Sequence, residues 1–247
     1  SEALPGLKDF FSFFESHSFP YILATNNATQ SSLSYAQRLE NLGVQVDADR
    51  ILTSGLAACL LMPEHCPPPG PLYIIGSDDL QLLFTQGGYD LTLQAREARA
   101  VVVGFDRQLT WHKLAEAALA INAGAFFMGT NPDPSFPSER GLVPGNGAQL
   151  AALTAATGVE PYIVGKPEPT IYELAMKKLG TKGTETLAIG DRLETDILGG
   201  TRAGLQTALL LTGVSTRAAV ADSPTQPDYI FENLIDLIAF LEDQRQP

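Results

Sequence analysis

The chain has 247 residues, 45% apolar and 18% charged, the balance of a folded globular protein rather than a disordered one. A formal net charge of −12 argues against non-specific nucleic-acid binding, which needs a basic stripe. No apolar run approaches a membrane span and no charged-then-apolar leader opens the chain, so no membrane partner is expected.

In chain order, apolar segments bounded by Gly, Pro or Asn predict strands at 21–24, 72–75, 100–103, 125–128, 162–164, 186–189 and 207–211. Amphipathic stretches predict helices at 32–42, 78–85, 111–122, 148–156, 170–179, 195–203 and 235–243. Gly43, Gly124, Gly158, Gly180 and Gly204 each follow a helical stretch, where a left-handed cap wants glycine. Such alternation implies an α/β fold with parallel sheets and crossover helices. The run Cys66-Pro67-Pro68-Pro69-Gly70-Pro71 reads as a stiff linker. The irregular stretch 129–147 is too long for an ordinary connection and reads as a binding loop or lid, with surface decoration as the alternative. Cys59 and Cys66 fit neither a disulfide framework nor a zinc knuckle, which suits a reducing cytoplasm.

Three strand ends carry chemistry. The first predicted strand runs into Thr25-Asn26-Asn27, a hydroxyl followed by amides. Ile163-Val164-Gly165 runs into Lys166-Pro167, and Ile189-Gly190 runs into Asp191, with a further acid, Asp196, five positions on. Ligands of open α/β sheets bind outside the carboxyl ends of strands. If these strands are parallel neighbours, hydroxyl and amide donors, a cation and a hard carboxylate ligand for magnesium meet at one rim. Each residue has a plainer reading. Thr25 and Asn26 suit a turn, Lys166 a solvated turn held by Pro167, and Asp191 with Glu194 a helix capping box.

These segments, with Gly129-Thr130-Asn131-Pro132-Asp133, Val143-Pro144-Gly145, Gly165-Lys166-Pro167-Glu168-Pro169 and Gly190-Asp191-Arg192-Leu193-Glu194-Thr195-Asp196-Ile197, cover nearly the whole chain. In that order they resemble the haloacid dehalogenase-like (HAD) phosphatases of subfamily IIA, typified by 4-nitrophenyl phosphatases and related nucleotide and phosphoglycolate phosphatases. The resemblance implies a Rossmann-like core, a parallel sheet with helices on both faces, interrupted by a smaller inserted α/β cap. The expected division is core at 1–63, cap at 64–161 and core again at 162–247.

By the same resemblance, Thr25 and the backbone amide of Asn26 hold the transferred phosphoryl group and Lys166 neutralises its charge. Asp191 ligates Mg2+, and Asp196 binds a metal-coordinated water or braces Lys166. Asn131 and Asp133 sit on the cap loop facing the substrate, where Arg140 is either a second anion contact or a surface arginine. The implied activity is magnesium-dependent hydrolysis of a small phosphorylated metabolite through an aspartyl-phosphate, with the cap offering a homodimer surface.

The family's opening strand ends in Asp-x-Asp-Gly and supplies the nucleophile, and this chain has no such segment. Asp78, Asp79 and Asp106 fall in the predicted cap and do not replace it. A central strand buries several apolar side chains at roughly 1.5–3 kcal/mol each, against a net stability of about 5–15 kcal/mol. The expectation is therefore that the first core strand and its nucleophile lie upstream of Ser1-Glu2-Ala3-Leu4-Pro5-Gly6. The competing class is a non-catalytic phospho-ligand-binding protein that lacks the nucleophile. A nucleotide-cofactor oxidoreductase is disfavoured because Gly145-Asn146-Gly147 follows no strand, and a serine hydrolase because no Gly-x-Ser-x-Gly occurs. His17, His65 and His112 are scattered, as structural histidines are.

Overall fold

The structure, a computed structural model, describes residues 3–244, so Ser1 and Glu2 of the opening stretch lie outside the described residues. Its elements run α1 (Leu7–Ser16), β1 (Leu23–Thr25), α2 (Ser32–Asn41), β2 (Ile51–Thr53), α3 (Ser54–Leu61), β3 (Leu72–Ile75), α4 (Asp78–Gln86) and β4 (Ala100–Val103). They continue with α5 (Trp111–Asn122), β5 (Phe126–Gly129), β6 (Ser135–Ser138), β7 (Gly141–Pro144), α6 (Asn146–Thr157), β8 (Tyr162–Ile163), α7 (Thr170–Leu179) and β9 (Leu187–Gly190). The last are α8 (Leu198–Arg202), β10 (Gln206–Leu210), α9 (Arg217–Asp222), β11 (Tyr229–Phe231) and α10 (Leu234–Asp243).

The chain divides into two compact units. The first is drawn from Ser1–Leu23, Tyr35–Ile51 and Lys166–Pro247, the second from Ala24–Ser34 and Leu52–Gly165. The short β1–β2 sheet is cut by this division in both strands. The expected cap, 64–161, lies inside the second unit, which also takes in 24–34, 52–63 and 162–165.

In the second unit, β3, β4, β5 and β8 form a parallel sheet in that order. All four residues of β4 are buried, which explains its unbroken Ala-Val-Val-Val run: a strand covered on both faces shows no alternation. Val101, Val103 and Phe127 meet Ala117, Ala120 and Ile121 of α5 and Leu150 and Leu153 of α6 in one core. Thr53, Ser77 and Thr110 start α3, α4 and α5 by accepting backbone N–H bonds from Leu56, Leu80 and Lys113.

In the first unit, β9, β10 and β11 form a second parallel sheet with β10 central. Leu193, Ile197, Leu209 and Val220 pack together, while Leu210, Leu234 and Leu237 form a further cluster with Leu7 and Phe10 of α1 against it. Gly200 lets α8 lie close to the sheet, since a Cβ there would stand 2.9 Å from the side chains of Ala188 and Thr207.

The α/β class and parallel sheets are those expected, and each of the five predicted capping glycines has a positive φ. Several elements depart from the periodicity reading. The helix predicted at 195–203 is a π-helical turn, Leu193–Ile197, followed by the short α8. Inside the irregular stretch 129–147, β6 and β7 pair as an antiparallel hairpin despite a proline in each. Helix α3 is apolar all round and largely buried, so it has no amphipathic stripe to read. Among the described residues, no helix is long and apolar enough to cross a membrane.

Candidate active site

In the first unit, three sequence-predicted residues meet. Lys166 follows β8, and its Nζ donates to Asp196 Oδ1 at 2.6 Å. Both side chains are largely withdrawn from water, at 12% and 9% exposure, so this pair is far less screened than a surface ion pair. The other oxygen, Asp196 Oδ2, accepts the backbone N–H groups of Asp191 at 3.2 Å and Arg192 at 3.1 Å. One carboxylate thus ties the lysine to the turn that presents Asp191.

The π-helical turn makes this reach possible. Its extra residue directs Asp196 back under Gly190 at the carboxyl end of β9, and a Cβ at Gly190 would collide with the Asp196 side chain. Tyr172 of α7 donates its hydroxyl to the Asp196 carbonyl at 3.0 Å. Burial, with the Asp196 carboxylate beside it, raises the Tyr172 phenol far above its ordinary pKa and keeps it a neutral donor.

Asp191 is not a helix cap. The turn that follows has Arg192 at its N-cap and no side-chain cap bond, whereas Asp191 Oδ2 accepts the Val214 N–H at 2.9 Å. The Asp191 carbonyl accepts the Ser215 N–H at 2.9 Å, and Ser215 Oγ accepts the Leu193 N–H at 3.1 Å. A Cβ at Gly213 would strike the Asp191 carboxylate, so glycine is needed there for the approach. Asp191 Oδ1 has no hydrogen-bond partner among the described residues.

The other predicted residues fall in the second unit, where Asn26, Asn131 and Asp133 meet. Thr25 Oγ1 accepts the Asn27 N–H at 3.2 Å, and Asn27 Oδ1 accepts the N–H and hydroxyl of Thr29 at 2.8 Å each. Asn26 Nδ2 donates to both oxygens of Asp133 at 3.3 Å, and the Asn26 carbonyl accepts Asn131 Nδ2 at 2.8 Å and Ser54 Oγ at 2.5 Å. Asn146, between Gly145 and Gly147 at the start of α6, is 2% exposed and donates to the carbonyls of Val103 and Asn131. Sequence reasoning missed Ser54, Tyr172, Asn146 and Ser215 as site residues. Of these only Asn146 stood in a noticed pattern, the glycine-flanked start of α6.

The remaining candidates have structural partners. Asp106 pairs with Lys113 at 2.7 Å, His65 stacks on Phe126 with ring centroids 4.0 Å apart, and Arg140 is exposed. Among the described residues, no group of three or more His, Cys, Asp or Glu side chains is placed to hold a metal ion. A magnesium ion does not need one, because it commonly takes one or two carboxylates and completes its shell with water and substrate phosphate. Asp191, with an uncommitted oxygen, fits that demand; Asp196 has both oxygens engaged.

Residues 1–90 match the family model for haloacid dehalogenase-like hydrolase, and residues 163–237 match a second HAD-hydrolase-like model. An acid sugar phosphatase of Staphylococcus aureus (strain USA300) is 36% identical over 243 residues, 98% of this chain and 93% of that protein. The 5'-nucleotidase YutF of Bacillus subtilis (strain 168) is 36% identical over 222 residues, 90% of this chain and 86% of that protein. A solved p-nitrophenyl phosphatase from Archaeoglobus fulgidus superposes with a TM-score of 0.91 at 29% identity, covering 96% of this chain and 92% of that one. The chain belongs to the haloacid dehalogenase-like hydrolases and, within them, to the phosphomonoester hydrolases of the 4-nitrophenyl phosphatase branch.

Proposed function

We propose that the protein hydrolyses a small phosphorylated metabolite, of the sugar or nucleotide phosphate kind named for its relatives, with magnesium held at Asp191. The observation that carries this reading is the Lys166–Asp196–Asp191 linkage, in which one buried carboxylate orients both a cation and the turn of a second acid. Held this way, Lys166 needs no reorganisation to meet charge on a transferring phosphoryl group. Asp196 takes the bracing role. Thr25 and the Asn26 amide are the phosphoryl donors on the loop after β1, and Asn131 and Asp133 stand on the cap loop. Bound magnesium supplies further charge neutralisation at the phosphate.

The attacking group in this proposal is an aspartate forming an aspartyl-phosphate, and the 247 residues contain no Asp-x-Asp-Gly segment to supply it. The test is magnesium-dependent phosphate release from 4-nitrophenyl phosphate by the complete gene product. Turnover lost on chelation and restored by magnesium is the expected result. Binding of phosphate esters without turnover would assign the protein to the non-catalytic class instead.

A further inference from the structure

Asn26 is held from three sides within its own unit. Asp133 accepts from its side-chain amide, while Asn131 and Ser54 both donate to its carbonyl oxygen. The loop bearing Asn131 and Asp133 is itself anchored. The Asp133 N–H donates to Asn131 Oδ1 at 3.2 Å, and Asn146 Nδ2 donates to the Asn131 carbonyl at 2.8 Å. Asn131 and Asn146 are 6% and 2% exposed, so these bonds lie away from competing water.

The backbone is fitted to the same network. A Cβ at Gly145 would meet the Asp133 carbonyl, one at Gly147 the Pro132 carbonyl, and one at Gly165 both Asn26 Oδ1 and the Thr130 carbonyl at 2.6 Å. Three glycines, two of them at the start of α6 and one just before Lys166, therefore give the contact room.

We infer that Asn131 and Asp133 are positioning residues, which set the orientation of Asn26 for the phosphoryl group rather than selecting the substrate's leaving group. This rests on the phosphatase reading and changes what the cap loop does within it. A residue that fixes a phosphoryl donor acts on every ester alike, because all esters share that group. A residue that touches the leaving group discriminates between esters. The carboxylate itself favours the first role. Placed against an anionic ester it would repel, whereas placed on the Asn26 amide it accepts two hydrogen bonds.

The test uses the complete gene product with Asp133→Ala, Asp133→Asn and Asn131→Ala. Activity is measured on 4-nitrophenyl phosphate, a sugar phosphate and a nucleoside monophosphate, and inorganic phosphate is titrated as inhibitor and as a thermal protectant with magnesium present. Asp133→Ala and Asn131→Ala should lower kcat/KM about 10²-fold on all three esters alike, the loss typical of a slightly misplaced group. Both should weaken phosphate inhibition and protection. Asp133→Asn keeps an acceptor oxygen for Asn26 and should recover most of the loss. Losses differing about tenfold or more between esters, with phosphate inhibition unchanged, would overturn the inference and make these residues specificity contacts. So would failure of Asp133→Asn to recover activity in a normally folded protein. Absence of turnover in the wild type would instead defeat the phosphatase reading, and phosphate protection would still test the positioning role.

Discussion

Asp196 holds Lys166 and the backbone of Asp191 with its two carboxylate oxygens, at 2.6 Å and 3.2 Å. The two residues proposed to act on a phosphoryl group are thus set by a third that is committed to them. Asp196→Ala removes an ion pair and the acceptor for two backbone N–H groups. It should lower unfolding free energy by about 2–4 kcal/mol and abolish turnover. Lys166→Met should abolish turnover with a smaller stability loss, since Asp196 keeps both backbone donors. Denaturant unfolding and steady-state rates on the two variants check the contrast; equal stability losses would contradict it.

Asp191→Asn separates the proposed ligand role from a structural one. Asparagine retains a carbonyl oxygen for the Val214 N–H, so stability should change by less than about 1 kcal/mol. Turnover of the complete protein should fall by orders of magnitude, with weaker magnesium dependence. Wild-type rates at ordinary magnesium would remove Asp191 from the chemistry.

Gly213→Ala tests the same acid from outside. The added methyl would occupy the space of the Asp191 carboxylate, so the side chain must rotate away or the 213–215 turn must shift. The expected outcome is a loss of about 10²-fold in kcat/KM, with secondary structure unchanged by circular dichroism. An alanine variant with normal rates would show that the carboxylate position is not critical.

Alkaline stability should report on Tyr89. Its hydroxyl donates to the Cys66 carbonyl at 2.9 Å, and burial, with the neighbouring Cys59 and Cys66, pushes its pKa up to about 12 from 10.0. The folded state therefore keeps a proton that the unfolded state releases above pH 10.0. This contribution is full below the unfolded value and is lost as pH rises through the folded one. Unfolding free energy should decline between pH 10.0 and about 12, and less steeply in Tyr89→Phe. Equal slopes in the two proteins would contradict the assignment.

Many of the strands and helices were legible in the chain because burial writes either a helical period or a short unbroken apolar run into it. Helices α5 and α7 begin and end where the pattern places them, and β3 and β4 match residue for residue. The candidate loops after β1, β8 and β9 were legible for the same reason, since a polar or charged residue directly after a short apolar run marks a strand's carboxyl end. Elements without a period, such as the uniformly apolar α3 and the proline-bearing β6–β7 hairpin, were not. Nor was the wiring of the site. That Asp191 accepts from Val214 rather than capping a helix, and that Asp133 grips an asparagine 107 positions away, follows from contacts between segments remote in sequence. Local propensity carries no record of such contacts, because hydrogen bonds across the fold depend on where packing has already placed both partners.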